Sequence, residues 1–215
     1  MYKYVEPMIV EADKKCCRAM LDELCQSLRE KGISAQPALV GSGRLNIVTQ
    51  NEEEPYDLDY DLIIQKMTDE YRNDCKKLKD AVMNELNRIV KDTEFSFSKD
   101  SRSVITSIVK FPDGSGKRFS FDLAIVKKDN EGNTERLIHD KPIGNYIWNI
   151  SRDYWAGSES KAIRIRKKGK SQELREEYLK LKNRYLTRND NTHTSSAIYT
   201  EAVEHVYSRL FGKEK

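Results

Sequence analysis

An alternating acidic segment near the middle of the first half constrains the fold of this chain more than any other stretch. Its carboxylates alternate with apolar residues, Asp57, Asp59 and Asp61 against Leu58, Tyr60 and Leu62. A two-residue period is typical of a β-strand, so the acids are expected on one face and the apolar side chains on the other. Three like charges on one face repel, and burying any of them unpaired is costly. The segment therefore predicts a strand whose acids need a positively charged partner.

A second segment, "RFSFDLAIV", places one acid at the centre of an apolar strand. Asp122 shares a face with Ser120 and Ala124, while the opposite face is aromatic and aliphatic. The preceding "PDGSG", residues 112–116, predicts a hairpin. Carboxylates from two neighbouring strands are typical ligands of Mg²⁺, which completes its shell with waters and phosphates. A pair of such ions stabilises the attacking and leaving oxygens of a phosphoryl or nucleotidyl transfer.

The remaining periodicity predicts an α+β fold with a mixed sheet. Helical spacing covers residues 9–32 and 68–90, and a short strand, "ISAQPALVGS", follows the first helix. Residues 43–55 are expected to be a polar connection before the acidic strand at 56–65. Further strands are predicted in "EFSFS", "SVITSIVKF" and "KRFSFDLAIV". Beyond Lys141 the pattern favours helices in "PIGNYIWNISRDYW", "SQELREEYLKLKNRYL" and "SSAIYTEAVEHVYSRLF".

Composition limits the class of protein. The 215 residues are 38% hydrophobic and 34% charged, with a net charge of only +3, so overall charge does not indicate a nucleic-acid binder. The four cysteines show no metal-ligand spacing, and the three histidines are assigned no role. No basic leader and no apolar run long enough to span a bilayer is present, so we expect a cytoplasmic protein without a membrane partner.

Three motifs in order carry a family resemblance over about residues 9–126. Gly41-Ser42, then Asp59-Tyr60-Asp61 running into Leu62-Ile63-Ile64, then Phe121-Asp122-Leu123 resemble the nucleotidyltransferase superfamily typified by DNA polymerase beta. The resemblance implies a nucleotidyltransferase-type mixed β-sheet flanked by helices, with a helical C-terminal portion. It also implies two Mg²⁺ (or Mn²⁺) ions on Asp59, Asp61 and Asp122, with Gly41 and Ser42 near the nucleotide's phosphates. Arg44, two residues after Ser42, is a further candidate for holding those phosphates.

The activity that the resemblance implies is transfer of a nucleoside monophosphate from an NTP to a hydroxyl or phosphate acceptor, with release of pyrophosphate. Residues 1–140 would form the catalytic core, and residues 141–215 a helical portion that closes over the nucleotide site as part of one unit. A bacterial nucleotide-signalling or defence synthase, of the cyclic-dinucleotide or 2-5A type, ranks slightly ahead of antibiotic- or tRNA-modifying transferases. A non-catalytic nucleotide- or RNA-binding module on the same fold is the competing class. The acceptor and the oligomeric state stay open.

Two departures from the family pattern leave alternatives. Asp59 lies 17 positions after Ser42 (59 − 42), a longer interval than the family usually has, and Gly43-Arg44 does not match the family's loop. The metal pair could also be Asp57 and Asp59; we prefer Asp59 and Asp61 because the family's second acid directly precedes the apolar strand.

A basic cluster, "KAIRIRKKGK" at residues 161–170, has two interpretations. It is either a solvated surface, the interpretation slightly favoured, or a binding site for the phosphates of the nucleotide or acceptor. Four aromatic residues before it could stack on a base, although Trp148 is expected in the core: Tyr146, Trp148, Tyr154 and Trp155.

Overall fold

A computed structural model describes residues 1–91, 93–110, 116–142, 144–151, 156–190 and 192–212. The chain divides into two compact units. The sheet unit consists of Val5–Val48 and Glu54–Ser151, and the helical unit of Met1–Tyr4, Thr49–Glu53 and Arg152–Lys215. The expected boundary at residues 140 and 141 stays a prediction. Within the described ranges, no helix is both long and apolar enough to cross a membrane.

The elements follow one another in a mixed order of helices and strands. In chain order they are β1 (Tyr2–Tyr4), α1 (Pro7–Glu30), β2 (Ser34–Leu39), α2 (Gly41–Leu45), β3 (Thr49–Asn51), β4 (Tyr56–Lys66), α3 (Asp69–Arg72), α4 (Cys75–Val90), β5 (Lys99–Asp100), β6 (Ile105–Lys110), β7 (Lys117–Lys128), β8 (Thr134–Asp140), β9 (Asn145–Ile150), α5 (Ala156–Lys167), α6 (Ser171–Thr187) and α7 (Ser195–Phe211).

The described strands of the sheet unit form one mixed, seven-stranded sheet. The order is β2-β4-β7-β6-β5, with β8 paired to the end of β7 and β9 paired to β8. β4 and β7 are parallel, and the other neighbouring pairs are antiparallel. This arrangement confirms the predicted α+β class with a mixed sheet.

Two amphipathic helices, α1 and α4, supply the helical side of the core. Helix α1 begins with Pro7 at its first turn and buries a stripe of residues at helical spacing, among them Cys17, Leu21, Leu24 and Leu28. Helix α4 buries Leu78, Val82, Leu86 and Val90, and Asp74 caps its first turn by accepting a hydrogen bond from the Lys77 N–H at 2.9 Å. These stripes share one hydrophobic core with one face of the sheet.

The sheet face in that core is formed by alternate residues of β4 and β7. Leu58, Tyr60 and Leu62 are buried there with Phe119, Phe121, Leu123 and Ile125. The rings of Tyr60 and Phe121 pack 5.5 Å apart, and those of Tyr56 and Phe119 stack at 5.8 Å. Burying this face commits the intervening residues, which include the acids, to the opposite face of the sheet.

A buried polar cluster joins α1 to the beginnings of β4 and β7. The Asp13 carboxylate, on a residue that is 1% exposed, accepts hydrogen bonds from the Tyr56 hydroxyl and the Arg118 guanidinium. Arg118 also lies 3.4 Å from Glu94. Removing one partner of a buried ion pair costs about 3–5 kcal/mol. The cluster therefore stabilises the packing of α1 against the first residues of β4 and β7.

The helical unit contains α5, α6, α7 and the antiparallel pair of β1 and β3. Helix α7 begins at the Thr194 cap, which accepts from the Ala197 N–H, and buries one stripe that includes Ala202 and Val206. Glu201 on α7 accepts hydrogen bonds from Arg184 and Tyr185 of α6 at 2.6 and 2.7 Å. The Asn183 side chain accepts from the Tyr2 N–H at 2.7 Å, which ties β1 to α6.

Several local predictions were wrong. The segment expected as a helix after Lys141 contains strand β9, because Tyr146 and Trp148 alternate toward the core and the backbone pairs with β8. "EFSFS" contributes only a bridge between Phe95 and Val109, within the described part of the chain. Residues 43–55 contain most of α2 and all of β3 rather than a plain connection, and β1, β8 and α5 were not predicted.

Both helices predicted in the first half of the chain are present, and some predicted features lie outside the described residues. The helix expected over residues 68–90 is present as α3 and α4 with a break between them, and the helix expected over 9–32 is confirmed as α1. Residues 112–115 of the predicted hairpin, and Tyr154 and Trp155 of the predicted stacking surface, lie outside the described residues.

Candidate active site

The acids of β4 lie on the sheet face opposite the hydrophobic core, as the alternation predicts. Asp57 is exposed, whereas Asp59 and Asp61 are half-buried, and the residues between them are fully in the core. Residues two apart on a strand are about 6.6 Å apart along the backbone. The carboxylates along the strand are therefore less exposed at Asp59 and Asp61 than at Asp57.

Asp122 lies directly opposite Asp59. β4 and β7 pair in parallel with Asp59 opposite Asp122 and Asp61 opposite Ala124. Neighbouring strands are about 4.8 Å apart, so these two carboxyl groups share a row and a face of the sheet. The prediction that the two acidic strands are neighbours is confirmed by this pairing, and Asp61 occupies the next row.

Thr106 on β6 orients the Asp122 carboxylate. It lies opposite Asp122 across the antiparallel pair, and its Oγ1 donates a hydrogen bond of 2.5 Å to Asp122 Oδ1. This contact fixes one carboxylate oxygen, which leaves the second as the oxygen able to contact a ligand. Nothing in the sequence pattern of β6 distinguishes Thr106 from other polar strand residues, so no motif pointed to it.

The Gly-Ser turn packs against Asp59. The Val40 N–H donates to the Asp59 carbonyl at 2.9 Å, and Gly41 begins the one-turn helix α2 with a φ of +59°. A Cβ added at Gly41 would lie 2.8 Å from Asp59 Oδ2. Only glycine satisfies both the left-handed backbone and this close approach.

Ser42 and Arg44 follow Gly41 within α2. The Ser42 carbonyl accepts from the Ile47 N–H at 3.0 Å, and the Arg44 N–H donates to the Val40 carbonyl at 3.3 Å. These backbone bonds fix the turn beside β4. Gly41 is thereby placed at the acidic face, and the roles of Ser42 and Arg44 toward phosphates stay predictions.

The electrostatics of the acidic face raise the affinity of its carboxylates for protons. Burial raises the pKa of Asp59 to about 6, and the charges of Asp57 and Asp122 add to the effect, while Arg136 opposes it. Burial also raises the pKa of Asp122, against the hydrogen bond from Thr106. Ionised carboxylates are therefore unfavourable here, and a cation between them would remove that cost.

Arg136 brings a positive charge to this face from β8. Its Nη2 lies 3.6 Å from Asp61 Oδ1. No motif in the sequence pointed to this residue, because the strand that carries it shows no alternation and reaches the acids only by pairing with β7.

The donor chemistry fits a hard divalent cation. Among the described residues, no three His, Cys, Asp or Glu side chains are arranged so that they would hold a metal ion by themselves. Mg²⁺ does not need such a cage, because it is held by one or two carboxylates and takes its other ligands from water and substrate phosphates. Asp59 and Asp122 meet that requirement, because they are adjacent on one face of the sheet and their charges repel each other.

The basic cluster belongs to the helical unit, where it forms most of α5. The Arg164 guanidinium lies over the rings of Tyr207 and Phe211 at 5.0 and 4.8 Å, and Lys161 pairs with Glu204 at 2.7 Å. Arg166, Lys167 and Lys168 are exposed. Part of the cluster therefore packs on α7, and Lys170 pairs with Glu173. The phosphate interpretation still applies to Arg166, Lys167 and Lys168.

Comparison with known proteins gives matches among solved structures. No family model and no curated protein matches the chain. E. coli MS115-1 CdnC with ATP matches with a TM-score of 0.58, 13% identity and coverage of 94% of this chain and 62% of that one. The STING-associated CdnE c-di-GMP synthase from Capnocytophaga granulosa gives 0.62, 12%, 99% and 64%. GTP-bound Vibrio cholerae DncV gives 0.55, 12%, 91% and 58%.

These neighbours decide the fold. The chain has the nucleotidyltransferase fold. The resemblance read from the three sequence motifs is confirmed at this level, and so is a mixed sheet flanked by helices with a helical C-terminal part. The chain spans about three fifths of the length of these nucleotidyltransferase chains, from 58% to 64%.

Proposed function

We propose that this chain is a metal-dependent nucleotidyltransferase that transfers a nucleoside monophosphate from an NTP to a hydroxyl or phosphate acceptor and releases pyrophosphate. The observation that carries the proposal is the register of β4 and β7, which puts Asp59 opposite Asp122 with Asp61 in the next row. The neighbouring acids raise the pKa of Asp59, and such an arrangement on a nucleotidyltransferase fold has a chemical purpose if the acids hold cations.

The three acids divide two roles in this proposal. Asp59 and Asp61 would hold the two ions, and Asp122 would contribute a third carboxylate from the neighbouring strand. Mg²⁺ or Mn²⁺ would neutralise charge on the triphosphate and polarise the phosphoryl group under attack. Asp122 orients the attacking hydroxyl and accepts its proton, because Thr106 fixes one carboxylate oxygen and a raised pKa suits a general base.

The phosphates would lie beside the Gly-Ser turn. Gly41 carries no side chain and lies against Asp59 Oδ2, so a phosphate can approach the backbone there. Ser42 would contact phosphate oxygens, as the family resemblance implies, and Arg44 in the same turn would help to hold them.

The substrate class is proposed from the neighbours. CdnC was solved with ATP, DncV with GTP, and the Capnocytophaga granulosa CdnE is a c-di-GMP synthase. We therefore favour purine NTPs as substrates and a cyclic or linear dinucleotide signal as the product, which corresponds to a bacterial nucleotide-signalling or defence synthase. Antibiotic- or tRNA-modifying transfer is the alternative within the same chemistry.

A non-catalytic nucleotide-binding module is the second candidate. One observation favours it: within the described residues, no three acids are already arranged around a common ion position. A module of this kind would bind NTP without releasing pyrophosphate, so a product assay separates the two candidates.

The test is turnover with α-labelled ATP, GTP, CTP and UTP, singly and mixed, in Mg²⁺ or Mn²⁺, followed by mass spectrometry of products and assay of pyrophosphate. Asp61→Asn should abolish turnover, whereas Asp57→Asn, on the same face but exposed, should have a milder effect. The reverse ranking would move the metal pair to Asp57 and Asp59. Nucleotide binding by equilibrium dialysis without pyrophosphate release would replace the enzyme proposal by the binding module.

A further inference from the structure

Arg136 lies on the same sheet face as the acids of β4 and β7. β8 pairs antiparallel with the end of β7, and Arg136 is opposite Val126. Val126 alternates in phase with Asp122 and Ala124, so residues paired with it share their face. The side chain of Arg136 is therefore directed along the acidic face from the row beyond Asp61.

The geometry explains how Arg136 reaches an acid on β4, which is not its neighbouring strand. Ala124 is the residue opposite Asp61, and its side chain is a single methyl group. The guanidinium can pass over this small residue, and its Nη2 lies 3.6 Å from Asp61 Oδ1. A larger residue at position 124 would separate the two charges.

The ion pair is loose enough to exchange. A charge-assisted hydrogen bond between nitrogen and carboxylate oxygen is about 2.7–2.9 Å long, so 3.6 Å is a charge contact without a direct bond. The Arg136 and Asp61 side chains are 32% and 20% exposed, although Asp61 Oδ1 itself is buried. In the part of the chain that the structure describes, the buried Nε of Arg136 has no hydrogen-bond partner. A guanidinium held in this way is not locked in place.

The charges explain what the contact does. Asp57, Asp59, Asp61 and Asp122 lie on one face, and the charge of Arg136 opposes the effect of the other three acids on the pKa of Asp59. A divalent cation that binds Asp61 must compete with the guanidinium for the same carboxylate and is repelled by its charge. The arginine and the metal are therefore alternative partners of Asp61.

We propose that Arg136 is an internal counter-ion of the acidic face, which holds Asp61 while no metal is bound and is displaced when a divalent cation binds. It is a positioning residue, and the inference rests on the metal site of the proposed function. After displacement, the planar guanidinium of Arg136 stays near the acidic face. There it can bind a phosphate group, whose oxygens match the geometry of its N–H donors.

The test is a titration with Mn²⁺ in the absence of nucleotide. Binding is measured from the electron paramagnetic resonance signal of free Mn²⁺. Arg136→Met should bind Mn²⁺ about three- to tenfold more tightly than the parent, because the competing charge is gone. Arg136→Lys should stay within about twofold of the parent. Lys128→Met is the matched control, since Lys128 carries the same charge on the same face but contacts Thr134 at 2.8 Å.

A double-mutant cycle ties the effect to Asp61. In an Asp61→Asn background, the gain from Arg136→Met should shrink to about twofold or less, because the shared partner is absent. Thermal melts provide a second readout: Arg136→Met should melt lower than the parent without metal and gain more from Mn²⁺. Should Arg136→Met fail to fold, Arg136→Gln keeps the polar side chain and should give the same gain.

The outcomes separate the inference from the function on which it rests. Binding by the parent with equal or weaker binding by Arg136→Met overturns the counter-ion and leaves the metal site standing. An equal gain from Lys128→Met also overturns it, because the effect would then belong to the general field. No Mn²⁺ binding by either protein, even after a non-hydrolysable NTP is added, overturns both proposals, whereas binding by Arg136→Met alone supports both.

Discussion

Asp59→Asn should stabilise the metal-free protein at pH 8, although it removes a residue proposed to be essential for activity. The reason is the environment of Asp59, which is half-buried, opposite Asp122 and one alternation away from Asp57 and Asp61. Asparagine has nearly the same shape as the protonated acid and carries no charge. The substitution therefore removes repulsion without opening a cavity.

The magnitude follows from the pKa. Asp59 is shifted from its ordinary value of 3.8 to about 6, which at about 1.4 kcal/mol per pH unit makes the ionised side chain unfavourable by about 3 kcal/mol in the folded state. The folded state binds the proton more tightly than the unfolded state, so the stability of the parent falls as pH rises from about 4 to 6 and is then level. The gain from Asp59→Asn should thus be below about 1 kcal/mol at pH 4 and about 3 kcal/mol at pH 8.

The assay is thermal and urea unfolding of the metal-free parent and variant at both pH values. For a chain of this length, 3 kcal/mol corresponds to a rise in Tm of about 6–12 °C. Asp22→Asn is the control, since Asp22 pairs with Arg18 on the exposed surface of α1 and should change stability by less than about 0.5 kcal/mol. A variant that is no more stable than the parent at pH 8, or a gain that persists at pH 4, would refute the reasoning.

Two further substitutions test the surroundings of the site. Gly41→Ala should destabilise the fold by about 1–2 kcal/mol in urea unfolding and displace the Asp59 carboxylate, because φ is +59° and the new Cβ would lie 2.8 Å from Oδ2. Gly116→Ala is the control and should be neutral in the same assay, because its new Cβ would lie within 4 Å of no other atom. Replacing the exposed Arg166, Lys167 and Lys168 with Gln should raise the KM for NTP or acceptor and flatten its salt dependence, and unchanged kinetics would assign these cations to a solvated face.

The strand that carries the acids could be predicted because its signal is local. Alternation over residues 56–62 determines which side chains face the core. A single acid among the aromatic residues of β7 identifies that strand as the one that contributes the third carboxylate. The parallel register itself, with Asp59 opposite Asp122, is a tertiary fact that the sequence only suggests.

The missed elements share a different cause. β1 and β3 are three residues each and pair across more than forty positions, so neither has a period of its own to detect. β9 contains only six residues, and its apolar residues are compatible with either period over so short a stretch. Thr106 and Arg136 were missed because each is an ordinary polar strand residue whose importance arises only from what lies opposite it.

The parallel pairing of β4 with β7 has a consequence for how the protein folds. Asp59 and Asp122 are 63 positions apart (122 − 59), so pairing the two strands requires closing a long loop. Contacts of such long sequence separation form late and slow the folding rate. The acids thus repel each other only after the surrounding sheet has largely formed, so their repulsion should accelerate unfolding more than it retards folding.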